Sequence, residues 1–460
     1  MKLIYDIHDK PKFPQLLIFA LQQVLAILAA TIAVPSIIGH GMSQSAALFG
    51  AGVGTLVYQL FTKFRSPVYL GSSFAFLGSM GAAFAGAATV SAGHVGLIIG
   101  AVMAGLVYVV IALVVKFVGV GWIEKLMPPV VIGPTVALIG LSQAGNAVGD
   151  LTAGKVMVEE ITQVIEGGQI VDKIQMVSGC SPYVALICGL STLFAVILFS
   201  VYGKKLIKLI PFILGILVGY CVAAVFTLIG LATDNVSLQV INFSVFANMD
   251  WFAVPDFTFL YLGEGLRDIS PAFIATVAVA YVPVAFVVFA EHIADHKNLS
   301  TVIGKDLLTQ PGLHRTLLGD GVGSMCGAFF GGCPNTTYGE SVGCVAITRN
   351  ASVITITAAA LMCIVISFFG PFVIFLSSIP NCVMGGVCVA LYGFIAVSGL
   401  KMVQKVDLSQ SKNLFVVSVI LITGIGGLTL SFGKVELTSI ACSLLLGILT
   451  NVLVCRAQEE

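Results

Sequence analysis

The chain has 460 residues, of which 58% are hydrophobic and 10% charged, and its 22 basic and 22 acidic side chains cancel at neutral pH. Soluble domains carry about 25% charged residues, so the composition excludes an ordinary soluble fold and describes a protein solvated by lipid. Zero net charge gives no ground for nucleic-acid binding. Fifty glycines suit helices that pack closely in a bilayer. The eleven cysteines are scattered through apolar runs, as at Cys188, Cys221, Cys363 and Cys442. No pair has zinc-ligand spacing with a histidine nearby, so they read as packing residues, and neither a metal nor a cofactor is expected. Residues 1–12 are charged and carry no cleavable signal pattern.

Apolar runs of about 17–25 residues are long enough to span a bilayer. They fall at 14–39, 46–62, 67–89, 93–115, 127–147, 182–201, 207–231, 270–294, 316–332, 335–352, 353–377, 382–400, 413–431 and 436–455. The expected fold class is therefore an all-α polytopic membrane protein with about fourteen spans, of which the third and tenth are least helical in pattern. Two longer polar connections, 149–181 and 232–269, interrupt the series. The second, with Trp251, Phe252 and Phe257 among acids, suits a membrane interface. With the N-terminus inside, eighteen basic residues fall in cytoplasmic segments, among them Lys2, Lys125, Lys205 and Arg456. Only Lys155, Lys173, Arg267 and Lys434 fall outside. That bias predicts both termini in the cytoplasm.

The halves echo one another. Met127-Pro-Pro-Val-Val-Ile-Gly133 resembles Ile379-Pro-Asn-Cys-Val-Met-Gly385; Pro35 of span 1 matches Pro283 of span 8, and Leu214-Gly-Ile-Leu217 of span 7 matches Leu446-Gly-Ile-Leu449 of span 14. An offset of seven spans is odd, so the second half enters the membrane upside down, as in secondary transporters. The same register pairs span 3, with Gly71-Ser-Ser-Phe-Ala-Phe76, and span 10, with Pro334-Asn-Thr-Thr-Tyr-Gly-Glu340. Gly331, Gly332, Pro334 and Gly339 crowd into nine residues, a poor composition for a continuous helix. Two interrupted spans in matching positions point to a transport site. Their freed backbone groups can meet a polar solute, and Ser73 in the first of them is a candidate contact.

A carboxylate at membrane depth marks an ion or substrate path. Glu340 lies in the broken span 10. Glu291 and Asp295 close span 8 and, four residues apart, share one helical face. Carboxylates gathered in a low-dielectric cavity resist being charged together, a plausible proton-coupling device. His292 and His296 lie off that face, near the cytoplasmic end, and read as interfacial residues.

At this point Pro334 to Arg349, Ala290-Glu291-His292, Gly71 to Phe76, Pro311-Gly-Leu-His-Arg315 and Val383-Met-Gly-Gly386 resemble the nucleobase–ascorbate transporters, specifically their bacterial uracil permease branch. The resemblance covers nearly the whole chain. It implies a seven-plus-seven inverted repeat in which two short antiparallel strands, in spans 3 and 10, meet at the nucleobase. The core domain would be residues 14–116 and 270–377, and the gate domain 124–231 and 382–455. It further implies that Glu291 and Glu340 hydrogen-bond the base and that the amides of Phe74 and Gly339 complete the polar contacts. Ala30, Tyr338 and Tyr392 would pack around the ring. The chain departs from the family in two places. Gln22-Gln23 stands where Gln-His is usual, which removes a polar partner and leaves the local hydrogen bonding open. Asp295 stands where uracil permeases often carry histidine and purine transporters carry aspartate.

The function expected is a proton-coupled importer of uracil in the cytoplasmic membrane, with a homodimer through the gate domain as a possible assembly. Its rivals are a symporter of xanthine or another purine base and, further off, an anion transporter of related fold. An anion site would prefer nearby cations to acids. An enzyme is not expected, because no nucleophile–base or metal constellation stands out, and a channel would need graded sites along a pore.

Overall fold

Lipid offers the backbone no hydrogen bonds, so a chain this apolar must satisfy its amides in helices. The computed structural model does so, and describes residues 3–119, 121–122, 127–166, 169–204, 206–247, 249–432 and 435–456. Seven helices among them are long and apolar enough to cross a membrane by length and composition. These are span 1 (Phe13–Ile38), span 4 (Val90–Val118), span 5 (Pro129–Ser142, running on into Ala144–Asp150), span 6 (Pro182–Tyr202), span 7 (Pro211–Ala232), span 8 (Pro271–Ile303) and span 12 (Asn381–Val403). Shorter helices form span 2 (Gln44–Phe61), span 9 (Leu313–Gly331), span 13 (Ser411–Ile425) and span 14 (Ser439–Arg456). Span 11 is broken into Val353–Ile366 and Gly370–Ser378. All fourteen expected spans are present. Proline in the first turn opens spans 1, 5, 6, 7 and 8, where its missing N–H removes no bond. Ser43, Thr89 and Ser270 cap spans 2, 4 and 8 by accepting from the amides three residues on.

Spans 3 and 10 are half strand, half helix. Strand β1 (Leu70–Ser72) leads through a 3-10 turn, Phe74–Phe76, into the helix Leu77–Gly86. Strand β4 (Asn335–Thr337) leads into the helix Gly339–Thr348. The strands pair antiparallel, Leu70 opposite Thr337 and Ser72 opposite Asn335, as the family resemblance implied. Two strand pairs were not foreseen. The connection after span 5 holds a hairpin, β2 (Met157–Glu166) with β3 (Gln169–Ser178), and β5 (Leu430–Phe432) pairs with β6 (Val435–Leu437) before span 14. The connection 232–269 consists of short 3-10 turns and the helix Leu262–Gly265, with Trp251 and Phe252 strongly exposed. Of the basic residues weighed for orientation, Lys2, Lys125, Lys205 and Lys434 lie outside the described residues, as do the side chains of Lys173 and Arg456.

The chain falls into two compact units. One comprises residues 144–251 and 370–391. In it spans 6 and 7 pack so closely that a Cβ at Gly219 would overlap Thr192 Oγ1. The other comprises residues 1–143, 252–369 and 392–460 and holds β1, β4 and every candidate site residue. There spans 2 and 9 meet backbone to backbone: a Cβ at Gly50 would lie 2.5 Å from Gly327 O.

A strap from the N-terminus ties this larger unit together. Ile4 N–H donates to Arg349 O at 2.8 Å, and Ala351 and Val353 N–H donate back to Tyr5 O and Ile7 O at 2.9 and 3.0 Å. Ile7 is buried with Tyr58, Leu299 and Val345. Lys305 Nζ reaches Asp6 Oδ2 at 2.5 Å and holds that carboxyl below its usual range. A depressed folded value contributes stability above the unfolded carboxylate range, and the contribution is lost as pH falls through the folded value. Both side chains are nearly half exposed, so screening limits the pair to ~0–1 kcal/mol. Thermal unfolding of Asp6→Asn should therefore show a small loss near neutral pH that vanishes in acid and in high salt.

Candidate functional site

The site grows out of the way span 10 breaks. Span 9 ends at Gly332, whose φ of +70° closes the helix in the left-handed region that glycine adopts freely. Pro334 then forbids a helical restart at its own amide, and the chain extends into β4. Asn335 and Thr337 of β4, and Tyr338 just after it, are tied down by hydrogen bonds. Asn335 Nδ2 donates to Gly50 O at 3.0 Å, through a gap that Gly54 and Gly327 leave open. Thr337 Oγ1 donates to Asp295 Oδ2 of span 8 at 2.8 Å. Tyr338 O–H donates to Ser72 O of β1 at 2.7 Å, and its ring stands where a Cβ at Gly71 would be, 2.3 Å from Tyr338 Cε2. Tyr338 is thus a strut between the strands.

Span 3 is anchored in the same manner. Leu70 N–H donates to Thr55 Oγ1 at 3.0 Å, and Tyr69 N–H donates to Ser341 Oγ at 3.1 Å. Gln23, whose partner the sequence left open, is buried and donates to the same Ser341 Oγ at 2.6 Å. Ser73 is fully buried in extended backbone just before the 3-10 turn, and its N–H donates to Pro334 O at 2.9 Å.

Two helix starts therefore flank one pair of short strands. First-turn amides have no partner inside their helix, and they favour negative or carbonyl groups. Phe74 begins one start and Gly339, exposed, begins the other, with Glu340 in its first turn. Glu291 and Asp295 are half-buried one turn apart on span 8. Span 8 packs on the 3-10 turn at Phe74, on β4 and on the helix that carries Glu340, and its His292 meets Asp320, so these carboxylates share one neighbourhood. A Cβ at Gly339 would lie 3.9 Å from Asp295 Oδ1. Phe74 and Tyr392 are buried edge to face, centroids 5.6 Å apart. Ala30 is buried in span 1, which packs on β1 and on the helices after β1 and β4.

Two residues are not where the sequence put them. His292 and His296 are fully buried, not interfacial. Span 8 continues to Ile303, nine residues past its expected end at 294, so both imidazoles stay inside the protein. His292 Nδ1 lies 2.7 Å from Asp320 Oδ2 and Nε2 lies 2.9 Å from Thr316 Oγ1. Asp320 was overlooked, although a lone acid inside the apolar run of span 9 is itself the signal.

Comparison with known proteins agrees with the motifs. The chain matches the model of a permease family over residues 14–432. It is 38% identical over 455 residues to a uracil permease of Bacillus caldolyticus, covering 98% of this chain and 95% of the relative. It is 36% identical over 463 residues to a uracil permease of Bacillus subtilis (strain 168), covering 100% and 97%. The uracil permease of Escherichia coli (strain K12) is 33% identical over 444 residues, covering 96% and 92%. Among solved structures, the transmembrane domain of the cyanobacterium bicarbonate transporter BicA superposes with a TM-score of 0.60 at 14% identity, covering 97% of this chain and 100% of that one. The murine Solute Carrier 26 family member A9 anion transporter, inward-facing, gives 0.62 at 14% identity, covering 98% and 69%. Identity that low shows the fold alone, and that fold is shared over nearly the whole chain.

Proposed function

This chain belongs to the permease family that its residues 14–432 match, and from that premise we propose that it imports uracil together with protons. The reading places it in the cytoplasmic membrane with both termini in the cytoplasm. Residues 14–116 and 270–377 form its core domain, and 124–231 and 382–455 its gate domain, through which two copies pair. The observation that carries it is the gathering of Glu291, Asp295 and Glu340 beside two helix starts on one strand pair.

Uracil presents two N–H donors and two carbonyl acceptors. Glu291 and Glu340 accept from the N–H groups, and the backbone amides of Phe74 and Gly339 donate to the carbonyls. Ala30, Ser73 and the faces of Phe74, Tyr338 and Tyr392 enclose the ring. Asp295 completes the proton-coupling set with Glu291 and Glu340: a proton taken up among three neighbouring carboxylates relieves their mutual repulsion, and a base held by two of them ties the solute to that proton.

A second reading, import of xanthine or another purine base, rests on Asp295, which grips Thr337 and abuts Gly339. Transport of an anion fits less well, because the acids would repel it. Uptake of labelled uracil into cells or proteoliposomes decides among these. Competition by unlabelled uracil and thymine, with collapse of uptake on adding a protonophore, is the expected result. Absence of uracil uptake together with protonophore-sensitive uptake of labelled xanthine or adenine would replace the first reading by the second. Cross-linking or mass measurement in lipid nanodiscs tests the pairing of copies.

A further inference from the structure

Behind the acids of span 8 lies an ionisable pair that the proposed transport step does not use. His292 and Asp320 are 0% and 1% exposed, with Nδ1 2.7 Å from Oδ2. Nε2 of the same ring is 2.9 Å from Thr316 Oγ1. Hydrogen-bond valence restricts where the protons can be. Thr316 has one hydroxyl hydrogen, and it donates to Leu313 O at 3.0 Å, an oxygen that can only accept. While it does so, Nε2 must carry a hydrogen and donate it to Thr316. The Nδ1–Oδ2 contact then needs a hydrogen of its own, because two bare lone pairs at that distance repel.

We infer that His292 and Asp320 together bind one transferable proton in the interior of the membrane-spanning bundle, latched by the Thr316 hydroxyl. Imidazolium with carboxylate and imidazole with carboxylic acid are two descriptions of the same count. Losing the proton requires three coordinated changes. The remaining hydrogen of the ring moves to Nδ1 and donates to ionised Asp320. Nε2 becomes an acceptor. The Thr316 hydroxyl leaves Leu313 O and donates to Nε2.

The surroundings suit a proton that moves. Asp320 Oδ1 and the Tyr108 hydroxyl are buried without a partner among the described residues. Both residues line, with Ser324 and Asn335, a cavity of about 10 Å³, the volume needed by one water. Asn335 is the first residue of β4, so this cavity joins the pair to the strand that carries the candidate site. The ionisable groups around the pair are Glu291, Asp295 and His296 on span 8, Tyr108 on span 4 and Tyr58 on span 2. His296 stacks on His292 at 4.0 Å and has both ring nitrogens engaged, Nδ1 with His292 O and Nε2 with the Tyr58 hydroxyl.

The test reads the ring itself and does not depend on which base is transported. Full-length protein labelled with nitrogen-15 histidine, in lipid nanodiscs near neutral pH, is examined by magnetic resonance, with His292 assigned through His292→Gln. The expected result is a His292 ring whose Nε2 carries a hydrogen, and whose proton is released at lower pH in Thr316→Val, which removes the acceptor that holds Nε2–H. A neutral His292 with bare Nε2 and hydrogen on Nδ1 would overturn the inference, since Thr316 would then be the donor. Should His292→Gln fail to fold, the resonance that moves in Thr316→Val supplies the assignment. In the same preparation Asp320→Asn is expected to retain labelled-uracil binding while releasing one proton fewer on alkalinisation; an unchanged proton count would equally overturn it.

Discussion

Glu340→Gln and Glu291→Gln should each abolish proton-driven accumulation of uracil while leaving a folded protein in the membrane. Glutamine has nearly the shape of glutamate, so the packing around the helix start at Gly339 is kept. Two things change. An amide presents one acceptor oxygen in place of two and turns N–H donors toward a base whose own edge offers N–H. It also takes no part in binding a proton. Losing a hydrogen bond to a charged group costs about 1.5–3 kcal/mol, or about 10- to 150-fold in affinity. Binding of labelled uracil to purified variants should fall by that order, and accumulation driven by a proton gradient should disappear. Wild-type accumulation in either variant would remove the acids from the mechanism and leave the strand pair as a structural feature alone.

Much of this site was legible because the bilayer imposes strict lengths and depths. A span must be about twenty residues, so the count follows from hydropathy, and the seven-span echo from motifs such as Met127 to Gly133 and Ile379 to Gly385. A Pro- and Gly-dense stretch inside such a span must break, so β1 and β4 were visible as interruptions before their pairing was known. The ends of spans were not legible in the same way. Hydropathy stops span 8 at 294, whereas the helix runs to Ile303 because Leu299 and Ile303 pack into the core around Tyr58 and Val345. That tertiary packing buries His292 and His296, and with them Asp320, whose partner lies 28 residues away in sequence. The hairpin β2–β3 escaped for another reason: hydropathy marks 149–181 only as a polar connection, although Met157 to Ser178 carries two apolar-rich runs about a Gly-Gly pair, a hairpin signal. Pairing across distant sequence, rather than composition, decides the burial of His292, His296 and Asp320.

The same dependence on close packing gives the second large effect. Gly327→Ala should disable substrate binding without touching a polar group of the site. A Cβ at Gly327 would fall 2.2 Å from Asn335 Nδ2, and one at Gly50 would fall 2.5 Å from Gly327 O. Neither the backbone of span 9 nor the side chain of Asn335 has room to give, since a Cβ at neighbouring Gly54 would also meet Asn335 at 2.4 Å. The added methyl must therefore push Asn335 away from Gly50 O and move β4. Thr337 and Tyr338 follow, loosening their bonds to Asp295 and to Ser72. Overpacking costs about 1–3 kcal/mol, and each hydrogen bond lost adds about 1 kcal/mol. Uracil affinity should fall about 30-fold or more, and the unfolding temperature should drop. Gly81→Ala is the control: it lies in the helix after β1, a Cβ there meets nothing within 4 Å, and alanine favours the helix. Equal behaviour of the two alanine variants would show that β4 is not held by the glycine gap, and the placement of Asp295 and Gly339 would need another cause.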